Sequence, residues 1–158
     1  KRQAAGFIAV IGSLIFVGLE TRSNAEQAAL NTRAVEIAAY QELINLNTQA
    51  NLTTLSEPEL VELLIKAERS PGTLSVIERR QYRTWVFLRL RLADMAYFQY
   101  EQGVIDEERL RSAFGPLRGT MRSRVAREMW QVSKGNFVKS FQNYIDDYIA
   151  ETPLAEAP

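Results

Sequence analysis

Residues 4–19 read AAGFIAVIGSLIFVGL, a stretch of sixteen positions without a charged side chain. Basic residues precede the stretch, and Glu20 and Arg22 follow it. As a helix it would rise about 24 Å, near the lower limit for a bilayer core of roughly 30 Å. The stretch is apolar on every face, whereas an amphipathic helix of a soluble protein has a polar side. The sequence therefore predicts a transmembrane anchor over residues 1–22.

Two other interpretations of this stretch stay open. A cleaved signal peptide fits the charged start, the apolar middle and the small residues at 23–25. A buried core helix also fits, because apolar runs of this length are ambiguous. The basic residues on the two flanks nearly balance, so the positive-inside rule does not decide which side of the membrane the rest of the chain occupies.

Small side chains recur along one stripe of the predicted anchor. Ala5, Ala9 and Ser13 are four residues apart, and Gly12 lies beside them. Stripes of this kind let helix backbones approach closely in lipid, although Ala and Gly are common in membrane helices in general. The stripe predicts a contact face for another transmembrane helix, in a homo-oligomer or in a larger membrane complex.

The remainder of the chain has the signals of helices and lacks those of strands. Residues 51–56 interrupt the apolar periodicity, and Ser56 with Glu59 and Ser75 with Glu78 have the spacing of capping boxes. No stretch alternates like a strand bounded by hairpin turns. We predict an all-α chain: the anchor, a domain of about five helices over residues 23–151 and a flexible tail over residues 152–158. The first helix after the anchor either continues from it or restarts at a capping box formed by Ser23 and Glu26.

The composition excludes several classes of active site within this chain. Its 158 residues include no His and no Cys. Disulfides, zinc–thiolate sites, a Ser-His-Asp triad and a cysteine nucleophile are therefore excluded. Glu57, Glu59 and Glu62 crowd one helix start, but acids at that position are commonly surface groups that complement the helix dipole. We therefore predict a protein that is not an enzyme and that has no cofactor or metal site.

The predicted helix 76–103 is the segment with the most aromatic residues. Its core face is predicted to contain Ile77, Trp85, Leu88, Leu92 and Met95. Asp94 interrupts this apolar surface, and an acid in such a place needs a partner. Arg91, three residues earlier, is the local candidate, so we predict a structural pair between Arg91 and Asp94.

A run of nineteen residues contains six arginines and no acid. One interpretation is pairing with the acids of helices 57–68 and 137–150. Another is contact with anionic lipid headgroups beside the membrane. Nucleic-acid binding is disfavoured, because the chain has a net charge of zero and no recognised binding motif. The predicted anion or partner contacts are Arg109, Arg111, Arg118, Arg122, Arg124 and Arg127.

The order of these signals resembles an uncharacterised family of small bacterial single-pass membrane-anchored helical proteins. The resemblance rests on Val17–Arg22, Asn31–Ala34, Ala39–Gln41, Ala96–Gly103, Asp106–Glu108 and Asn136–Asp147. It implies the helical fold, an anchor in the bacterial inner membrane and, weakly, a cytoplasmic domain, and it implies no activity. Glu20 and Glu36 depart from the family, whose members often have more basic residues after the anchor.

The expected function is that of a non-enzymatic accessory or scaffold subunit in a bacterial membrane. Its partners would be lipid and other membrane proteins or further copies of the chain. The alternative is a peripheral module whose arginines bind anionic lipid or nucleic acid.

Overall fold

The computed structural model describes residues 2–154, with side chains described from residue 13 onward except residue 15. The described part is 87% helical and contains no strand, which confirms the all-α prediction there. It contains seven α-helices and two short 3-10 helices, Pro71–Thr73 and Lys134–Asn136. The α-helices are α1 (Arg2–Ser56), α2 (Pro58–Arg69), α3 (Val76–Glu101), α4 (Glu107–Ala113), α5 (Gly115–Thr120), α6 (Arg124–Ser133) and α7 (Lys139–Glu151).

Helix α1 is continuous, which confirms the alternative in which it continues past residue 22 and excludes a restart at Ser23. The predicted break at residues 51–56 is wrong. Hydroxyl side chains in this region bond back to the helix itself. Thr54 Oγ1 donates to the carbonyl of Ala50 at 2.9 Å, and Ser56 Oγ donates to that of Thr53 at 3.0 Å. Bonds of this kind let Ser and Thr remain inside a helix that their propensities disfavour.

The capping boxes predicted before α2 and α3 have different outcomes. Before α3, Ser75 Oγ accepts from the amide of Glu78 at 3.2 Å, and the Glu78 carboxylate accepts from the amide of Ser75 at 2.7 Å. Hydrogen bonds from Lys66 and Ser75 lower the pKa of Glu78 to about 2. Before α2, Glu57 is the N-cap residue without a side-chain bond, and Pro58 begins the helix. The box predicted at Ser56 is therefore absent.

The chain divides into two compact units, residues 1–38 and residues 39–158. The first unit is the amino-terminal part of α1, and its described side chains are exposed. Among the described residues, none of the helices combines the length and apolar character that a membrane span requires. Most of the predicted anchor, including Ala5, Ala9 and Gly12, lies outside the described side chains.

In the second unit, α3 packs against α2, α4, α5 and α6. The largest side chains that this packing buries completely include Tyr82, Trp130 and Phe141. The indole nitrogen of Trp130 donates to Asp146 Oδ1 at 2.7 Å, which satisfies the one polar atom of that ring. The core thus fixes α3, and one side of α3 forms the candidate site.

Candidate functional site

An open groove of about 970 Å³ lies along α3 within the second unit. Its walls come from the last turns of α1, from the start of α2 and from one face of α3. Its lining includes Ala50, Thr53 and Thr54 of α1 and Leu60 and Leu63 of α2. The wall on α3 is formed by Val76, Ile77, Arg80, Gln81, Thr84, Trp85, Leu88, Arg89 and Leu92.

This groove contains most of the face that the sequence predicted to be core. Ile77 and Leu88 are 72% and 57% exposed, so their assignment to the core is wrong. Trp85, Leu92 and Met95 are half-buried. The apolar residues that α3 buries lie on another face and comprise Tyr82, Val86, Leu90, Ala93 and Ala96. Helix α3 therefore has two apolar surfaces, and the fold covers only one of them fully.

The groove has a buried cation in its wall. Arg89 is only 6% exposed, and its Nη2 donates to Asn51 Oδ1 of α1 at 2.9 Å. The guanidinium carbon lies 5.0 Å from the centre of the Trp85 ring, a cation–π distance. Nη1 is buried and has no hydrogen-bond partner among the described residues. Burial lowers the pKa of Arg89, but an arginine still keeps its positive charge at neutral pH.

Arg89 is not among the site residues predicted from the sequence, although the sequence contains a signal for it. Arg89 continues the spacing of Tyr82 and Val86 toward Ala93, so it occupies a buried position of the helical repeat. Its placement there distinguishes it from the exposed arginines of α3, such as Arg79 and Arg83.

The predicted pair of Arg91 and Asp94 is present, with 3.1 Å between Nη1 and Oδ2. The same guanidinium donates to the carbonyl of Asn136 at 3.0 Å and lies 4.3 Å from the centre of the Phe137 ring. The pair therefore connects α3 to the segment before α7. Asp94 is held in a structural contact.

Three of the six clustered arginines have partners other than the predicted acids. Arg109 pairs with Asp106, and Arg111 pairs with Glu107 at 2.8 Å. Arg127 Nε donates to the carbonyl of Met121 at 2.7 Å, and its Nη2 donates to that of Thr152. The predicted pairing with acids of helices 57–68 and 137–150 is therefore wrong for these three residues.

The other three clustered arginines, Arg118, Arg122 and Arg124, are exposed. They form no ion pair with any described side chain. They lie at the end of α5 and the start of α6, where Arg124 occupies a first helical turn that contains no acid. A cation in a first turn is unfavourable to the helix dipole, and the first turn of α6 has no acid to offset Arg124.

The remaining predicted residues lie outside the arginine cluster and the Arg91–Asp94 pair. Ser13 is exposed on α1 within the first unit. Glu57 and Glu59 line the groove, and within the described residues no cluster of acids has the geometry of a metal site.

Comparison of the chain with protein-family models, with curated proteins and with solved structures finds no match. The resemblance to small bacterial membrane-anchored proteins therefore stays a prediction.

Proposed function

We propose that this chain is a non-enzymatic accessory or scaffold subunit held at the bacterial inner membrane by its amino-terminal segment. In the proposal, it packs there against other membrane proteins or further copies of itself. The observation that supports this function is the exposed apolar surface of the first unit. Leu14, Phe16, Val17 and Leu19 of α1 are each more than half exposed.

Apolar side chains exposed on a single helix are stabilised when lipid or protein shields them from water. Burying a side chain such as Leu or Phe contributes about 1.5–3 kcal/mol relative to leaving it in water. Lipid can provide this burial, and a neighbouring helix can provide part of it. The charged side chains begin at Glu20, and Arg22 and Glu26 form an exposed ion pair at 2.9 Å. This change in character fits a boundary between lipid and water near residue 20.

We expect the full chain to stay in the membrane fraction after alkaline and high-salt washes and to leave it only with detergent. The double substitution L14R/V17R should reduce the retained fraction by roughly tenfold or more, because each arginine within a membrane segment costs about 2.5–3.5 kcal/mol. The measurement is an immunoblot of washed membranes.

The matched control is L30R/V35R, which changes the same residue types at exposed positions farther along α1. This control should remain in the membrane as the unchanged chain does. Recovery of the unchanged chain in the wash, dispersed and without detergent, would contradict the proposal.

A second candidate function follows from the three unpaired arginines. We infer that Arg118, Arg122 and Arg124 form a surface that binds anionic lipid headgroups. Their exposure and their lack of ion pairs with described side chains support this role. Each basic residue near an anionic membrane contributes about 1 kcal/mol of attraction, and salt weakens it.

The triple substitution R118Q/R122Q/R124Q should weaken binding to anionic vesicles by roughly tenfold or more at low salt. Full-length chain held in nanodiscs is mixed with vesicles of phosphatidylcholine, with or without phosphatidylglycerol, and co-sedimentation is measured. The control R69Q/R83Q/K139Q removes the same charge from exposed sites elsewhere. Equal losses in the two variants would indicate a general charge effect and would refute a specific surface.

A further inference from the structure

We propose that the groove along α3 binds a single-chain amphiphile with a carboxylate head, such as a long-chain fatty acid. Its acid group would contact Arg89, and its hydrocarbon chain would lie over the apolar residues of α2 and α3. This binding site lies in the second unit and does not depend on the amino-terminal anchor.

The charge of the groove wall favours a carboxylate. Arg89 is more than nine-tenths buried, and no acid forms an ion pair with it among the described side chains. A buried charge that lacks a counter-ion is costly to the fold. Nη2 donates a hydrogen bond to Asn51 Oδ1, which holds the guanidinium in place. Nη1 has no hydrogen-bond partner among the described residues. Nη1 has almost no exposed surface, so a ligand carboxylate reaches it only when a neighbouring side chain of the groove moves aside. The carboxylate then matches the planar guanidinium geometrically and supplies the missing acceptor.

The shape and lining of the groove favour a hydrocarbon chain. Beyond Arg89 its α3 wall presents Ile77, Leu88 and Leu92, and α2 contributes Leu60 and Leu63. From Val76 to Leu92 the helix rises about 24 Å, which makes the groove elongated. Its volume of about 970 Å³ is at the upper end of the range for small-molecule sites.

Asn51 and Trp85 define the orientation of the ligand. Glu57 and Glu59, at the start of α2, line the groove, and among the described side chains neither forms an ion pair with Arg89. Arg89 is tied to α1 through Asn51 and stacked on Trp85. The acid head is therefore placed beside Trp85, with the chain extending toward Val76. A partner helix could also cover Val76 and Ile77, but it would leave unexplained why one cation is buried without a counter-ion.

The test uses the two tryptophans of the chain. Trp85 lines the groove, whereas Trp130 is fully buried in the core. Full-length chain in nanodiscs is titrated with a terminally brominated dodecanoate, since bromine quenches tryptophan fluorescence on contact. Empty nanodiscs correct the free ligand concentration. We expect saturable quenching that the substitution W85F abolishes.

Two comparisons isolate the carboxylate contact. Brominated dodecanol, which lacks the acid group, should bind the unchanged chain at least about tenfold more weakly than the dodecanoate does. The dodecanoate should bind R89M at least about tenfold more weakly than it binds the unchanged chain. R83M removes an exposed arginine of α3 that does not line the groove and should bind normally. R89K keeps a charge and should bind with intermediate affinity.

Each of the opposite results would overturn the inference. Equal affinity for acid and alcohol would show an apolar groove without carboxylate recognition. Unchanged binding by R89M, with its helicity intact by circular dichroism, would remove Arg89 from the site. Quenching that persists in W85F, or that does not saturate, would place the ligand outside the groove or in the lipid.

Discussion

Replacing Phe141 with Ala is expected to lower the free energy of unfolding by about 3–5 kcal/mol. Phe141 of α7 is fully buried, and its ring centre lies 5.3 Å from that of Phe137 and 5.6 Å from that of Tyr97. Trp130 meets it edge-on at 6.1 Å. Truncation therefore removes apolar burial and several aromatic contacts, and it leaves a cavity among large rings that cannot readily collapse.

The control for this prediction is F98A on α3. Phe98 is 60% exposed, so the same truncation should change the free energy of unfolding by only about 0.5 kcal/mol. Urea denaturation of the full chain in nanodiscs, followed by circular dichroism, measures both variants. A loss below about 1 kcal/mol for F141A would contradict the central place of α7 in the core.

The aromatic repeat of α7 illustrates what the sequence predicts well. Its apolar residues recur with a helical period, and the two central ones, Phe141 and Ile145, are fully buried in the structure. Helix starts are predictable where a cap forms entirely from local residues, as at Ser75 and Glu78. Both signals are visible in short stretches of sequence, although the same spacing at Ser56 and Glu59 forms no capping box.

The faces of α3 show where sequence reasoning fails. Trp85, Leu88 and Leu92 form as convincing a helical stripe as Tyr82, Val86 and Ala93 do. Which stripe becomes core depends on where α4, α5 and α6 pack, and that is determined by long-range contacts. The sequence pattern of one helix holds no information about such contacts. The spacing of Arg89 with Tyr82, Val86 and Ala93 is visible in the sequence, but only the packing of the other helices shows that this stripe is the buried one.

The stability of Arg89 variants tests whether this buried arginine serves the fold or ligand binding. The substitution R89M is expected to raise the free energy of unfolding by about 1–3 kcal/mol. Buried charges without full compensation commonly make a fold less stable than apolar side chains of similar size would. Methionine follows the same path as the aliphatic part of arginine and adapts to irregular space. The loss of the bond to Asn51 offsets part of the gain, by about 1 kcal/mol.

Two further variants show whether a change in stability is specific to Arg89. R83M changes an exposed arginine and should stay within about 0.5 kcal/mol of the unchanged chain. N51A removes the acceptor of Nη2 and should lower the free energy of unfolding by about 1–3 kcal/mol, because it leaves more of a buried cation unsatisfied. All three are measured by urea denaturation without added amphiphile.

A more stable R89M that no longer binds the dodecanoate would mean that the fold keeps Arg89 at a cost in stability. Such costs are typical of binding sites, where a group is held ready for a ligand instead of being satisfied internally. A loss of more than about 1 kcal/mol in R89M would lead to the opposite conclusion. Arg89 would then be a structural bridge between α1 and α3, and the groove would lose the cation on which its ligand chemistry depends.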